Sequence, residues 1–169
     1  MARILDLYCG LLKGVIALCL AVMVVLVFGN VVLRYGFNSG ITVSEELSRW
    51  LLVWLTFLGA IVAVREHSHL GVDSLVRMLS PMGKRICFII NYCLMLFADW
   101  LLLSGSWKQM IITAGDRAPA TNLPVGFFYG AGIVFGVSAG VILLYDLVRV
   151  LTGAASEDDL VAVRESEEL

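Results

Sequence analysis

The fold is decided by residues 30–73, NVVLRYGFNSGITVSEELSRWLLVWLTFLGAIVAVREHSHLGVD. The apolar run from Trp50 to Val64 extends roughly 22 Å as a helix, whereas the hydrocarbon core of a bilayer is about 30 Å thick. The missing length must come from the preceding segment, which carries Glu45, Glu46 and Arg49. These charges therefore lie at the membrane edge or are shielded by other protein, and either arrangement predicts a packing partner for this helix.

The composition is that of an integral membrane protein. Of the 169 residues 60% are hydrophobic, and the mean hydropathy is +0.91. Only 15% are charged, compared with about 25% in a typical soluble domain. Because a backbone within lipid must satisfy its own hydrogen bonds, each long apolar run is expected to be a helix. An all-α protein with four transmembrane helices is predicted, with spans at Gly14–Leu33, Val43–Val64, Ile86–Trp107 and Gly126–Val148.

Residues 1–150 are predicted to form one transmembrane domain, and residues 151–169 an acidic, disordered tail. From residue 157 onward the tail has six acidic residues and one arginine. The first span is interpreted as an uncleaved helix, because it is longer than the apolar part of a signal peptide. Eight of the twelve Lys and Arg residues lie near the termini or in the middle loop, which favours both termini in the cytoplasm. Residues 74–85 are expected to form a short amphipathic segment on the cytoplasmic membrane surface.

Polar residues around the start of the second span predict contacts between helices. Asn30 and Arg34 are four residues apart and share one helix face. We interpret Asn30 as bonded to a neighbouring helix and Arg34 as extended towards lipid headgroups. Glu45 and Glu46 precede Arg49 by four and three residues, a spacing that permits an ion pair on the helix surface.

The second helix is expected to begin before its apolar run. Residues 42–45, Thr-Val-Ser-Glu, fit a capping box in which the glutamate reaches back to the first turn. Trp50 and Trp54 lie one turn apart on one side of this helix. One tryptophan at an interface is ordinary anchoring, and the second predicts packing against protein or lipid.

Asp99 lies within the third span, and a carboxylate at that depth is expensive. One interpretation makes it a functional site. The other, which we favour, is a salt bridge to an outer basic residue, for which Arg34, Arg49 and Lys108 are all at a plausible depth.

The fourth span contains a stripe of small residues, with Gly132, Gly136 and Gly140 on one face. Glycines at this spacing let two helices approach closely. The stripe predicts contact with another helix, within the chain or in another chain, and it predicts no chemistry.

The loop after the second span has His67 and His69 between acidic residues. A transition-metal site needs three or four convergent ligands, and side chains two apart on a helix diverge. A hydrogen-bonded turn is therefore favoured, and no metal or other cofactor is expected.

Several short motifs follow one another along the chain: Asn30-x-x-x-Arg34-Tyr35, Glu45-Glu46-x-x-Arg49, Phe57-x-Gly59-Ala60, His69-x-x-Val72-Asp73, Arg117-Ala118-Pro119, Leu123-Pro124 and Tyr129. In this order, with four spans, they resemble the small permease (Q-type) subunit of tripartite ATP-independent periplasmic transporters, over roughly residues 10–150. In that family a binding protein delivers an organic acid to two membrane subunits. The large subunit carries the substrate and sodium sites, and the small four-helix subunit supports it.

The resemblance implies a scaffold subunit, not an enzyme, in the bacterial inner membrane. It implies sodium-driven import of C4-dicarboxylates, sialic acid or related carboxylates. The implied partners are a large multi-span permease subunit, a periplasmic binding protein in indirect or peripheral contact, and membrane lipids, with no role for nucleic acid.

The resemblance also implies residue roles. Glu45, Glu46, Arg49 and Trp50 are expected to organise the outer side or to contact partners. Further interface or structural positions are expected, apart from the resemblance, at Asn30, Arg34, Trp54, Asp99 and Arg117. His69 and Asp73 are expected to fix the cytoplasmic turn, and Arg65, Lys84 and Arg85 to hold anionic lipid headgroups.

Two other functions are compatible with a small four-helix membrane protein. One is a self-sufficient transporter that works as a dimer with Asp99 as its coupling site. The other is a cytochrome b-like anchor, which would need histidine ligands within the spans. His67 and His69 lie in a loop instead, which disfavours the anchor.

Overall fold

The computed structural model describes residues 2–66 and 81–152, and these residues are helical except for two connections. The helices are α1 (Ala2–Phe37), α2 (Thr42–Arg65), α3 (Pro81–Ile112) and α4 (Gly126–Leu151). Each of these four is long and apolar enough to cross a membrane. The prediction of an all-α protein with four spans is confirmed, and the orientation of the termini stays a prediction.

The helix bounds match the predicted spans closely for α2 and α4 and poorly for the other two. Helix α1 has 36 residues and α3 has 32, roughly 54 and 48 Å at the usual rise per residue. The predicted first span, Gly14–Leu33, marked only the uncharged part of α1. The helix continues through Asp6 and Lys13 because charged residues do not interrupt backbone hydrogen bonding in water.

The helices pack in the order α1, α2, α4, α3, so that the shorter α2 and α4 lie in the middle. Residues 38–41 connect α1 to α2, and residues 113–125 connect α3 to α4. We call the end of the molecule that carries these two connections the hairpin end. The opposite end, where α1 begins and α4 ends, is the terminal end.

The apolar core lies towards the terminal end, where all four helices contribute to one cluster. Ile61 of α2 and Ile142 of α4 are its most buried large side chains. Leu12 of α1 and Tyr92 of α3 complete the contact, and Tyr92 stacks on Phe88 with ring centres 4.1 Å apart. The outward faces of α1 and α3 leave many large apolar side chains exposed, as expected for helices that contact lipid or another membrane subunit.

Candidate partner-contact site at the hairpin end

The turn between α1 and α2 is held by Asn30. Its Oδ1 atom accepts a hydrogen bond from the backbone N–H of Ile41 at 2.7 Å, and its Nδ2 atom donates to Glu45 Oε1 at 3.2 Å. Asn38, in the left-handed region at φ 50°, turns the chain. The buried Asn30 amide therefore uses both of its ends to fix where α2 starts relative to α1.

The predicted capping box is wrong. Ile41 is the residue at the N-cap of α2, and no side chain there caps the helix. Ser44 donates instead to the backbone carbonyl of Leu26 in α1 at 2.8 Å, and the carboxylate of Glu45 is turned towards Asn30. The side chains of Ser44 and Glu45, which the capping box would have used within α2, bond to groups of α1 instead.

Arg34 contributes a weaker contact to the same junction. Its Nη1 atom lies 3.7 Å from Glu45 Oε1, beyond hydrogen-bond distance, and both side chains are more than half exposed. The structure thus brings together three of the predicted residues, Asn30, Arg34 and Glu45.

Glu46 holds the connection between α3 and α4. Although it lies in α2, its carboxylate accepts hydrogen bonds from the backbone N–H of Ala120 at 2.8 Å, from the N–H of Thr121 at 3.4 Å and from the Thr121 hydroxyl. Glu46 is almost fully buried. A single carboxylate in this position fixes a loop more than seventy residues away in sequence.

That loop is a tight hairpin, and we call residues 116–125 the outer hairpin. Arg117 and Pro124 form a β-bridge. The N–H of Ala118 donates to the carbonyl of Leu123, and the carbonyl of Ala118 accepts from the N–H of Asn122. Asn122 has a φ of 58°, the left-handed geometry that a tight turn needs. The guanidinium of Arg117 donates to the carbonyl of Asn122 at 3.2 Å, so this predicted contact residue braces its own hairpin.

An aromatic cluster lies beneath the outer hairpin. Trp50 packs between Phe127 and Phe128 of α4, with ring centres 6.3 and 6.0 Å away, and Trp54 lies 5.1 Å from Phe127. Trp50 is buried. The sequence predicted packing against protein or lipid for Trp54. In the structure both tryptophans pack against phenylalanines of α4, and these contacts join α2 to the start of α4.

Arg49 does not make the ion pair suggested by its spacing. Glu45 is directed to α1 and Glu46 to the outer hairpin, and neither carboxylate lies within ion-pair distance of Arg49. The side chain is exposed, and no ion pair or hydrogen bond of Arg49 occurs within residues 2–66 and 81–152. Arg49 is left with its charge at the surface of the hairpin end.

The glycine face of α4 packs against α3. A Cβ atom added at Gly136 would lie 2.9 Å from the Cβ of Leu103, and one at Gly132 would overlap the Ser106 side chain. At Gly140 it would lie 2.9 Å from an oxygen of Asp99. The glycines thus permit close approach within the chain.

Asp99 lies midway along the apolar part of α3, Ile86–Ile112. Its Oδ1 atom is buried without a hydrogen-bond partner, and no cation of the described residues is within ion-pair distance. The favoured salt bridge to Arg34, Arg49 or Lys108 is therefore absent here. The physical reason is depth: those cations lie at the hairpin end, whereas Asp99 packs against Gly140 near the helix middle.

The terminal end is joined by two ion pairs between α1 and α2. Arg65 donates to Asp6 at 2.9 Å, and Lys13 contacts Glu66 at 2.5 Å. The side chain of Arg65 is only 17% exposed. The Nε and Nη2 atoms of Arg65 both donate to Asp6, and the expected contact of Arg65 with lipid headgroups stays a prediction.

Four predicted residues receive no side-chain description. His69 and Asp73 lie outside the described residues, as do residues 74–80 of the predicted amphipathic segment and most of the acidic tail. Residues 81–85 of that segment form the start of α3. Lys84 and Arg85 belong to the first turns of α3, and only their backbone is described.

Sequence reasoning missed several residues that hold the structure together. Thr121 and the two phenylalanines at the start of α4 belong to no recognisable motif. Tyr8 and Ser138 form a hydrogen bond with 2.9 Å between their hydroxyl oxygens, although they are far apart in sequence. A carboxylate in an apolar helix, such as Glu46, was the one usable signal, since it must find donors somewhere.

Fold and site together define a multi-pass membrane protein whose polar side chains fix helix ends. Among the described residues, no three His, Cys, Asp or Glu side chains converge as metal ligands. The family model for the DctQ component of tripartite ATP-independent periplasmic (TRAP) transporters matches residues 23–153. The chain belongs to this family.

Individual relatives agree with the family match. The chain is 44% identical to a Haemophilus influenzae protein provisionally named TRAP transporter small permease, over 78% of this chain and 82% of the relative. It is 32% identical to the C4-dicarboxylate TRAP transporter small permease protein DctQ of Vibrio cholerae, over 61% and 44% of the two chains. These relatives are transporter permease subunits, so the chain is a multi-pass inner-membrane transport protein and not an enzyme.

A third relative is much longer than this chain. The isethionate TRAP transporter permease protein DctMQ of Oleidesulfovibrio alaskensis is 29% identical over 71% of this chain, but the match covers only 19% of that relative.

Proposed function

We propose that this subunit is the scaffold for a large permease subunit in a sodium-driven importer of organic acids. The observation that carries the proposal is the placement of Asp, Glu, Lys and Arg in the described helices. Apart from Asp99, which packs against a glycine, each lies within the first or last third of its helix. A transport path needs a series of polar groups through the membrane, and the described helices offer a packed interface instead.

Support for the large partner comes from the long relative, whose name joins M and Q and whose chain extends far beyond the match. Two TRAP components on one chain imply that the same components stay together when they are separate. The exposed apolar faces of α1 and α3 supply surface for such a partner. We further propose that the termini face the cytoplasm, which places the hairpin end on the periplasmic side.

The substrate class rests on relatives alone. Proteins in the same family are named for C4-dicarboxylates and for isethionate, all of them small organic anions. The predicted class for this importer is therefore a small organic acid.

The proposal is tested by reconstitution into liposomes with an inward sodium gradient. The arms contain the chain alone, the large permease alone, both subunits, and both with the binding protein. Labelled C4-dicarboxylates, sialic acid and isethionate serve as probes. Uptake is expected only when both membrane subunits and the binding protein are present, and uptake by the chain alone would refute the scaffold role.

Residue roles at the hairpin end follow from its geometry. Asn30 and Glu46 hold it together, whereas Arg49 is exposed without an ion pair and is the proposed contact to a carboxylate of the large permease. Arg49→Ala is expected to lower recovery of the complex, whereas Arg164→Ala, in the acidic tail, leaves recovery unchanged. Equal recovery from both variants would remove Arg49 from the interface.

The outer hairpin is the proposed point of peripheral contact with the binding protein. Its Asp116, Arg117 and Pro119 side chains are exposed, while its backbone is fixed by Glu46. Cross-linking from position 119 to the binding protein tests this contact, with position 112 of α3 as the control.

One observation favours a second function, a self-sufficient transporter coupled through Asp99. Its Oδ1 atom is buried without a partner midway along α3, which is where an ion-coupling carboxylate would lie. Asp99→Asn separates the two functions. Loss of coupled uptake in liposomes that contain only this chain supports the second, and unchanged uptake by the complete complex supports the first.

A further inference from the structure

A groove of about 230 Å³ lies between α1 and α2 at the hairpin end. Its lining changes from apolar to charged along the helix axis. Val27 and Val31, both nearly half exposed, lie on the side towards the membrane interior. One to two turns further out are Arg34, Tyr35 and Glu45. The groove is therefore apolar at the depth of the acyl chains and charged at its outer rim.

The floor of the groove has already satisfied its polar groups. Asn30 bonds Ile41 and Glu45, Ser44 donates to the carbonyl of Leu26, and Ser48 donates to the carbonyl of Ser44 at 2.7 Å. A ligand therefore meets a floor whose donors are in use, and any strong polar contact must come from the rim.

The rim keeps both hydrogen-bond donors and a hydrogen-bond acceptor that are not used within the described residues. The guanidinium of Arg34 makes no hydrogen bond within the described residues, because its contact with Glu45 is 3.7 Å long. Both described contacts of Glu45 are to its Oε1 atom, which leaves Oε2 as an acceptor. The rim therefore presents five N–H donors beside one carboxylate oxygen.

We propose that this groove binds a phospholipid whose headgroup joins a phosphate to a primary ammonium group, of the phosphatidylethanolamine type. Guanidinium groups bind phosphate oxygens through paired, charge-assisted hydrogen bonds, so Arg34 holds the phosphate. The Oε2 atom of Glu45 accepts a hydrogen bond from the ammonium group. The acyl chains run along Val27 and Val31 into the bilayer.

Size and charge both select this ligand. Pockets that enclose a drug-sized molecule occupy about 300–1,000 Å³, so this smaller groove holds a headgroup and leaves the chains in the membrane. An anionic phosphatidylglycerol headgroup has no cation for Glu45. Phosphatidylcholine carries a cation, but its three methyl groups remove the N–H donors.

The test uses the complete complex with its large permease, purified into nanodiscs with equal amounts of phosphatidylethanolamine, phosphatidylcholine and phosphatidylglycerol. Native mass spectrometry then measures the lipid that stays bound. The unmodified complex is expected to retain phosphatidylethanolamine over the other two. Arg34→Gln is expected to reduce its retention about tenfold, since hydrogen bonds to a charged group are lost. Glu45→Gln should remove the preference over phosphatidylcholine.

Two further variants guard against loss of folding. Val31→Phe fills the groove without a change of charge at a position that is already partly exposed, and it should prevent retention. Lys108→Gln removes a positive charge elsewhere at the hairpin end and should leave retention unchanged.

Equal retention of the three lipids by the unmodified complex would overturn the proposal. So would full retention by Val31→Phe, or the same loss with Lys108→Gln. A complex without bound lipid, in which cross-links place the large permease over Arg34 and Glu45, would assign the groove to protein instead. None of these measurements depends on transport.

Discussion

The hairpin end and the terminal end are held by different interactions. At the hairpin end, the buried Asn30 and Glu46 accept hydrogen bonds from backbone N–H groups of another segment. At the terminal end, the packing around Ile61 and Ile142 is apolar, and the ion pairs of Asp6 and Lys13 lie largely at the surface.

This difference separates two roles, which are to fix where a segment lies and to hold the helices together. A buried hydrogen bond works only at one distance and angle, so it fixes where a segment lies. Apolar packing is not directional, and exposed ion pairs contribute little. Buried hydrogen bonds thus fix the positions of segments at the hairpin end, whereas apolar packing keeps the helices together at the terminal end.

The contact that joins both ends is the seam between α3 and α4, and breaking it should have the largest effect. Gly136→Leu places a side chain against Leu103 at 2.9 Å, where the neighbour cannot move without its backbone. Overpacking of this kind costs about 1–3 kcal/mol and occasionally more. Thermal unfolding of the complex in detergent measures the loss.

Gly105→Leu is the matched control for this prediction. Gly105 lies on α3 with nothing near its Cβ position, so the added side chain enters open space. An equal loss in both variants would show that bulk in a helix, and not the seam, is responsible.

The second largest effect is expected at Glu46. Glu46→Ala leaves the half-buried N–H groups of Ala120 and Thr121 without their acceptor, and a donor that is shielded from water and unsatisfied is costly. We expect a lower melting temperature and faster proteolysis confined to the outer hairpin. Thr121→Val removes one donor and keeps the carboxylate, so its effect should be smaller. Cleavage spread over the whole chain would contradict a local role.

Asn30→Ala should have the third largest effect. It removes the acceptor of the Ile41 N–H and the donor to Glu45, at an expected cost of about 1–2 kcal/mol. Hydrogen exchange at Ile41 is the direct measurement, because that amide loses its partner. Unchanged protection of the Ile41 amide would show that it has another acceptor.

The smallest effect is expected at the terminal end. Asp6→Ala breaks the pair with Arg65, whose partner oxygen is on an exposed side chain. Such pairs contribute less than about 1 kcal/mol, and salt screens them. Unfolding at low and high salt checks this, since the difference from the unmodified protein should shrink with salt. A loss larger than that of Asn30→Ala would reverse the comparison of the two ends.

The sequence predicts the spans best where two signals coincide. Helices α2 and α4 begin where turn-forming residues meet an apolar run, and their predicted bounds are within a few residues of those observed. Helices α1 and α3 extend past their apolar runs, because hydropathy marks the part of a helix in lipid and not where backbone hydrogen bonding stops.

The site was predictable as a set of residues but not as a set of contacts. Spacing along α2 suggested that Glu45 and Glu46 pair with Arg49, yet both find donors on other segments. The donors to Glu46 include two backbone N–H groups, which every residue except proline has, so no sequence pattern reveals them. Asp99 was expected to pair with a cation, but its carboxylate lies beside Gly140, and its Oδ1 atom has no hydrogen-bond partner.

The lengths of the four helices have a consequence for the membrane. Helices α2 and α4, with 24 and 26 residues, exceed the hydrocarbon thickness by less than about 10 Å, whereas the flanking α1 and α3 exceed it by roughly 24 and 18 Å. The long helices must tilt, thicken the adjacent lipid or project into water. Where α1 and α3 project into water, a subunit that packs along either edge can contact them both inside and outside the bilayer.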